Sequence, residues 1–337
     1  MKENLSTIAS RCGVSTTTVS RVLSGNAVKY RISPSTAEMV MTEARRCCYI
    51  SNRTAQNLRS EDTKTIGLLI PSLDNLYFAK MSSVIISEIR RHEYSTLVMD
   101  TMENEKTFEE SLSQLLDRRV DGIIATPCGD DSSLVENVYA KGIPLVLIDR
   151  YYENSQIPYV ATNNYKGGLD ATNALISRGH KNILCIQGEV SSSPNTERVN
   201  GYLDAMKAAH LEEYIQITGN EFSVQNGYLE AKLMLLKENR PTAIFSLSNT
   251  ITLGIIKAMR ESGLKIPDDV SLISFDSFQH MDFIEPPITR IAQPIEDMAM
   301  LATKILFREI SHEVNTTSQL KVASHLVAGA SIANIKD

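Results

Sequence analysis

Residues 6–25 read STIASRCGVSTTTVSRVLSG, and the placement of their small residues decides how the first part of the chain folds. Gly13 lies four residues after Ala9 and Val19 ten after it. A small side chain lets a second helix approach the first, a glycine tolerates the turn between them, and apolar Ile8 and Val19 close the shared core. That spacing is the requirement of a helix-turn-helix. Ser6 can cap the first helix and Ser15 the second. Three adjacent threonines, Thr16 to Thr18, weaken a helix because each branched Cβ loses rotamer freedom, so their use is to be sought at the surface. On a helical wheel Val22 and Leu23 fall within about 60° of Val19, whereas Thr17 and Arg21 lie about 160° away. Threonine offers a hydroxyl and a methyl, suited to phosphates at a helix N-terminus or to base edges, and arginine can reach guanine in bidentate fashion. A third helix opens at Ser33 as cap with Pro34 at its first position, running through Met39, Val40 and Ala44 toward Tyr49.

Charge separates this segment from the rest. Over residues 1–60 there are nine Lys and Arg against three acids, a balance of +6, while the whole chain of 337 residues carries −6, so the remainder carries −12. A basic module on an acidic body points to polyanion contact by the module. Ser60 to Lys64, SEDTK, reads as the linker.

From Thr65 short apolar runs alternate with stretches of helical period. TIGLLIP, YSTLVMD, DGIIAT, PLVLID and PYVATN form one set, and NILCIQG, IQITG, TAIFSLS and VSLISFD a second. Amphipathic segments separate them, among them Ala79–Arg91, Phe108–Arg118, Asn200–Ala209 and Thr252–Ser262. Alternation of this kind predicts two lobes, each a parallel sheet flanked by helices, with ligands bound beyond the carboxyl ends of the strands. Polar residues gather at those ends: Asp74, Asn75, Asp100, Thr126, Asp149 and Arg150 in the first lobe, Ser248, Asn249 and Asp276 in the second. Singly, such residues also serve as turn formers and helix caps. Together they suit a small-molecule clamp.

The stretch quoted first, with YISNRTAQNLRS and TKTIGLLIP after it and NLYF, LIDR, RGHKNI, ERVNGY, PTAIF, GLKIPDDVSLISFD and EPPITRIAQP in order along the chain, resembles the lactose-repressor (LacI) family of bacterial transcription regulators. The resemblance extends over the whole chain. It implies a small all-α helix-turn-helix headpiece plus hinge helix in residues 1–60, the hinge at about 51–60. A two-lobed α/β core of periplasmic-binding-protein type I follows in 61–337. Its two parallel-sheet subdomains would comprise about 64–162 plus 291–322, and about 163–290 plus 323–337. It further implies a homodimer on a pseudo-palindromic operator in double-stranded DNA. Thr16, Thr17 and Arg21 would read bases, while Ser15, Thr18, Ser20 and Asn26 would hold phosphates. In the hinge segment with Asn52 and Gln56, Ala55 would allow two hinge helices to approach, and Leu58 would wedge into the minor groove.

Carried over in the same way, Arg198, Asn249 and Asp276 match effector-holding positions, Phe222 matches a ring that covers the ligand, and Tyr77, Asp149 and Gln293 lie on matching pocket segments. Carboxylates accept from adjacent hydroxyls, arginine donates parallel bonds and an aromatic face packs on sugar C–H groups, so a sugar or sugar derivative is the expected effector. Departures from the family pattern stand at Ser51, Leu76, Asn163 and Thr250, and at the Cys47-Cys48 pair.

A purine-type corepressor-dependent regulator and a cytoplasmic solute-binding protein are the alternatives. No phosphate-binding loop, metalloprotease or nucleophile-elbow motif occurs, so an enzyme is not expected, nor is a cofactor. No apolar run is long enough to span a membrane, and the N-terminus lacks an apolar leader, which predicts a cytoplasmic protein. The five cysteines, Cys12, Cys47, Cys48, Cys128 and Cys185, include no C-x-x-C pair and read as reduced thiols. No apolar heptads follow the last strand-like run, HLVAGASI, which favours a dimer over a tetramer assembled through a tail.

Overall fold

The computed structural model describes residues 4–47, 49, 62–237, 239–313 and 318–335. The chain divides into two compact units, Met1–Thr63 and Lys64–Asp337. The hinge calls at Asn52, Ala55, Gln56 and Leu58, together with Cys48 and Ser51, lie outside the described residues.

The first unit contains α1 (Leu5–Cys12), α2 (Thr16–Leu23) and α3 (Pro34–Arg46). Asn4, not Ser6, caps α1, accepting from the Thr7 amide, so the helix begins two residues earlier than the serine suggested. Ser15 and Ser33 cap α2 and α3 as their positions predict, each accepting from the amide three residues on. Gly13 ends α1 at φ 64°, the left-handed conformation that glycine adopts without a Cβ penalty. Ile8, Ala9, Cys12, Val19, Val22, Val40 and Ala44 form the small shared core. Burying such side chains contributes about 1.5–3 kcal/mol for each of the larger ones.

The second unit holds two six-stranded sheets. The first comprises β1 (Thr65–Ile70), β2 (Ser95–Asp100), β3 (Gly122–Ala125), β4 (Leu145–Ile148), β5 (Tyr159–Thr162) and β11 (Gln319–Val322), in the spatial order β11-β5-β4-β3-β1-β2. All its pairings are parallel. The second comprises β6 (Ile183–Ile186), β7 (Gln216–Thr218), β8 (Ala243–Ser246), β9 (Ser271–Phe275), β10 (Thr289–Ala292) and β12 (His325–Val327), in the order β12-β10-β9-β8-β6-β7, with β12 antiparallel to β10. The β10 strand lies in the second sheet, so the chain returns to the first lobe after Ala292, two residues beyond the boundary the sequence suggested. It passes between the lobes after β5, after β10 and after β11, the geometry of a multi-strand hinge.

Helices cover both faces of each sheet. Those of the first lobe are α4 (Leu76–Arg91), α5 (Glu105–Asp117), α6 (Ser133–Ala140) and α11 (Ile295–Ile310); those of the second are α7 (Asn164–Ile176), α8 (Ser193–Ala208), α9 (Val224–Leu235) and α10 (Asn249–Glu261). In β1 the alternation survives inside a continuous apolar run: Ile66, Leu68 and Ile70 pack toward α4 and α11, whereas Leu69 packs toward α5. Helices α4, α5, α8 and α10 begin earlier than the apolar period indicates, at Leu76, Glu105, Ser193 and Asn249. Their first turns are fixed by the side-chain caps Asn75, Asn104, Ser192 and Ser248. No described helix is long and apolar enough to cross a membrane.

Candidate functional site

Two surfaces collect the residues singled out in the sequence, one in each unit. In the headpiece, Val19 and Val22 are buried, while Thr16, Thr17 and Arg21 are exposed on the other side of α2. The Ser15 hydroxyl accepts from the Thr18 amide at 3.0 Å and shares a 2.9 Å hydrogen bond with the Thr18 hydroxyl, so these two form the cap and turn Thr18 half-inward. Ser20 is half-buried and Asn26 exposed, with Asn26 Nδ2 donating to the Ser24 carbonyl. The guanidinium of Arg21 stacks 3.9 Å from the centroid of Tyr30, a cation–π contact that holds the long side chain in place. Tyr30 carried no signal in the helical pattern, because it stands in the connection between α2 and α3.

In the core, the carboxyl ends of the two sheets face one another across a cavity of about 30 Å³. Tyr77, Asp149, Arg198, Phe222, Asp276 and Gln293 all line it. Asn249 stands behind the wall. Its backbone amide donates to Asp276 Oδ2 at 3.1 Å, and its Nδ2 donates across the cleft to Asn75 Oδ1 at 3.0 Å. Asn75, Arg150 and Ser248, read as polar strand ends, join the lining, as do Phe78, Glu103 and Pro194, which the sequence did not single out. Phe78 could have been found from its place beside Tyr77 in NLYF. Glu103 follows the end of β2 and could have been found there, whereas Pro194 lies in the first turn of α8 and gave no signal.

The polar groups of the cavity bond mainly to one another. Tyr77 Oη donates to Asp149 Oδ1 at 2.7 Å and lies 3.1 Å from Gln293 Oε1, which also accepts from Thr162. Gln293 Nε2 donates to Asp276 Oδ1, completing a chain from one lobe to the other. Arg198 is anchored through Nε to Asn164 Oδ1 at 2.8 Å and through Nη1 to the Leu247 carbonyl at 2.7 Å, with its plane 3.8 Å from the Phe275 ring centroid. Two of its five N–H groups are thereby used to aim the rest. Arg150 donates in a fork to Glu103, at 2.8 and 3.0 Å, and lies 5.8 Å from the Phe78 ring centroid and 5.9 Å from that of Phe222. Burial raises Asp149 above the usual carboxylate value against the pull of Arg150 and Arg198, and burial followed by the Asp149 charge raises the Tyr77 phenol well above its own.

Two of the family departures have a local role. Asn163 caps α7, accepting from the Lys166 amide, and the Thr250 hydroxyl donates to the Phe222 carbonyl. Leu76 is the first residue of α4 and about half exposed, and nothing in the structure explains its replacement of proline. Asp100 accepts from the amides of Leu73 and Met102, a turn-forming role.

Residues 4–52 match the model for bacterial regulatory proteins of the lacI family. Residues 63–330 match that for periplasmic binding proteins and the sugar-binding domain of the LacI family. The chain is similar to the ribose operon repressor of Haemophilus influenzae, 30% identical over 330 residues that span 98% of each chain. It is also similar to the HTH-type transcriptional repressor PurR of Vibrio campbellii, 32% identical over 308 residues, 90% of each chain. Among solved structures, a LacI family regulator from Enterococcus faecium with bound ribose superimposes with a TM-score of 0.74 at 25% identity, covering 81% of this chain and all of that one, 100%.

Proposed function

The chain belongs to the LacI family of bacterial regulatory proteins and is a DNA-binding transcription regulator, and on that premise we propose that it represses a carbohydrate operon under the control of a monosaccharide, with ribose the first sugar to test. One observation carries the choice of ligand class: Asp149, Asp276, Gln293, Arg150 and Arg198 converge, with the rings of Tyr77, Phe78 and Phe222, on one buried cavity between two hinged lobes. Acceptors and donors in alternation around aromatic faces match the hydroxyls and C–H faces of a sugar. The ribose named in the relative and in the superimposed structure supports the same class.

At about 30 Å³ the cavity is far smaller than the several hundred Å³ of a typical ligand site. A sugar therefore enters by parting the lobes and replacing hydrogen bonds that the lining residues make to each other. That coupling of ligand to lobe geometry is the means by which the effector alters DNA binding. In the headpiece, Thr16, Thr17 and Arg21 read base edges, and Ser15, Thr18, Ser20 and Asn26 position the helix on phosphates. Asn52, Ala55, Gln56 and Leu58 complete the set of DNA-binding positions proposed. The protein acts in the cytoplasm as a homodimer on a pseudo-palindromic operator.

A purine corepressor is the second reading, favoured by the similarity to PurR. Calorimetric titration of the full chain with ribose, other monosaccharides, hypoxanthine and guanine tests the proposal. Saturable binding of a monosaccharide, abolished by Arg198→Ala, is expected; binding of a purine alone would overturn it.

A further inference from the structure

A separate link between the lobes lies outside the effector cavity, where the chain leaves the first lobe for the second. Glu197 stands on α8 of the second lobe, its side chain only 12% exposed. Its Oε1 accepts from two groups of the first lobe, the Tyr151 hydroxyl at 2.6 Å and the Lys321 ammonium. Lys321 belongs to β11, the last strand before the chain crosses to β12. The Tyr151 amide adds a third bond, donating to Ser193 Oγ at the start of α8 at 3.1 Å. None of these four residues lines the effector cavity. We infer that Glu197, Lys321 and Tyr151 form a lock that holds the two lobes together in the absence of effector, and that releasing it shifts DNA binding with no effector present. The inference rests on the chain being an effector-controlled regulator and not on which effector it takes.

Both donors are carried by one rigid body. The Tyr151 ring stacks on Tyr159 of β5 with 4.2 Å between centroids and 12° between planes, and Lys321 Nζ lies 5.0 Å from the Tyr151 ring centroid. Strands β5 and β11 are paired, with Lys321 opposite Ala161. Parting the lobes about their crossovers therefore breaks both bonds to Glu197 together. The lock is also releasable. Glu197 Oε2 is buried and has no hydrogen-bond partner among the described residues. The desolvation cost of a buried charge is offset only when its lone pairs are well used. A carboxylate with two donors on one oxygen and none on the other thus holds with modest strength, and parting the lobes returns it to water. Removing the Lys321 cation leaves Glu197 buried with the Tyr151 hydroxyl as its one donor among the described residues, which favours the parted arrangement. Removing the Tyr151 hydroxyl acts in the same direction without changing any charge.

The test compares the full-length wild type with Lys321→Met, Tyr151→Phe and Lys321→Arg, all without effector. Hydrogen exchange of the peptide that holds the Tyr151 amide is followed by mass spectrometry, because that amide is protected by its bond across the cleft. Fluorescence anisotropy at fixed salt measures affinity for a labelled duplex that the wild type has selected from random sequence. In Lys321→Met and Tyr151→Phe the exchange is expected to be about tenfold faster than in the wild type. Operator affinity is expected to move by about threefold or more, in the same direction in both. Lys321→Arg keeps a cation at the position and is expected to stay within about twofold of the wild type in both measurements. Unchanged exchange in both variants, or faster exchange with unchanged operator affinity, overturns the inference. A shift confined to Lys321→Met also overturns it, since that would report a lost charge near DNA and not a released lock. Saturating ribose added to the wild type is a separate arm: if it leaves operator affinity unchanged while both variants shift it, the lock stands and the sugar reading falls.

Discussion

Asn249 Nδ2 donates to Asn75 Oδ1 at 3.0 Å although the two residues stand 174 positions apart and on different lobes. Asn75 caps α4, and Asn249 is the first residue of α10. The bond therefore ties two helix starts together across the cleft, beside the Tyr77 and Asp276 that line the cavity. Asn249→Ala removes the tie while changing no side chain that itself lines the cavity. The expected result is a gain of up to about tenfold in sugar affinity, the worth of one hydrogen bond that the sugar no longer has to break in parting the lobes, with the melting temperature nearly unchanged. Calorimetric titration beside a thermal melt checks it; equal affinity would show that the tie does not contribute to closure.

Arg21, which the proposal assigns to base reading, stacks on Tyr30 at 3.9 Å, so Tyr30 is expected to act as its positioning residue. An exposed cation–π contact is worth about 0.5–1 kcal/mol. Tyr30→Ala is expected to lower the ratio of operator to random-sequence affinity by about twofold to fivefold at fixed salt, whereas Arg21→Ala lowers it more. A uniform loss on both DNAs in a competition gel shift would place Arg21 on phosphate instead of on a base.

Glu43 on α3 accepts from Arg46 at 2.7 and 2.8 Å and from Arg11 on α1 at 3.2 Å. Hydrogen bonding from Arg46, then Arg11, lowers its carboxyl from an ordinary 4.5 to about 2. A carboxylate with a lowered folded-state pKa stabilises the headpiece fully above the ordinary value, and that contribution is lost as pH falls through the window from 4.5 to about 2. Glu43→Gln is expected to flatten the pH dependence of headpiece unfolding within that window. Circular dichroism melts of both proteins across it provide the check, and parallel curves would remove Glu43 from the account.

Helices α7 and α8 cross so closely that a Cβ on Gly168 would lie 2.4 Å from the Arg198 carbonyl oxygen, a backbone atom that cannot swing aside. Gly168→Ala is expected to destabilise the second lobe by about 1–3 kcal/mol and to weaken sugar binding by displacing Arg198. A melt and a titration on the same sample measure both. Full affinity in a destabilised variant would separate packing from the site.

Much of this architecture was legible because β-strands buried on both faces leave short apolar runs that a sequence displays directly. Ten of the strands correspond to runs read in the sequence, from TIGLLIP to HLVAGASI. The short strand β11, whose residues are mostly exposed, and the return of the chain at Gln293 could not be read from apolar pattern, since edge pairing leaves little of it. The cap at Asn4 was hidden by an equally suitable serine two residues later. The cavity was legible where residues stand at strand ends or in segments of the family pattern. The ion pair that holds Glu103 there, to Arg150, is a tertiary contact with no periodic trace.

The central claim, that a sugar in the cavity controls DNA binding by the headpiece, is tested most directly by fluorescence anisotropy of a labelled duplex from the region upstream of the coding sequence. The duplex is titrated with the full chain with and without saturating ribose. The account predicts tight, salt-sensitive binding whose affinity shifts by about fivefold or more when ribose is added, and no shift in Arg198→Ala. Binding that is identical with and without every monosaccharide that titrates into the wild-type protein would contradict it.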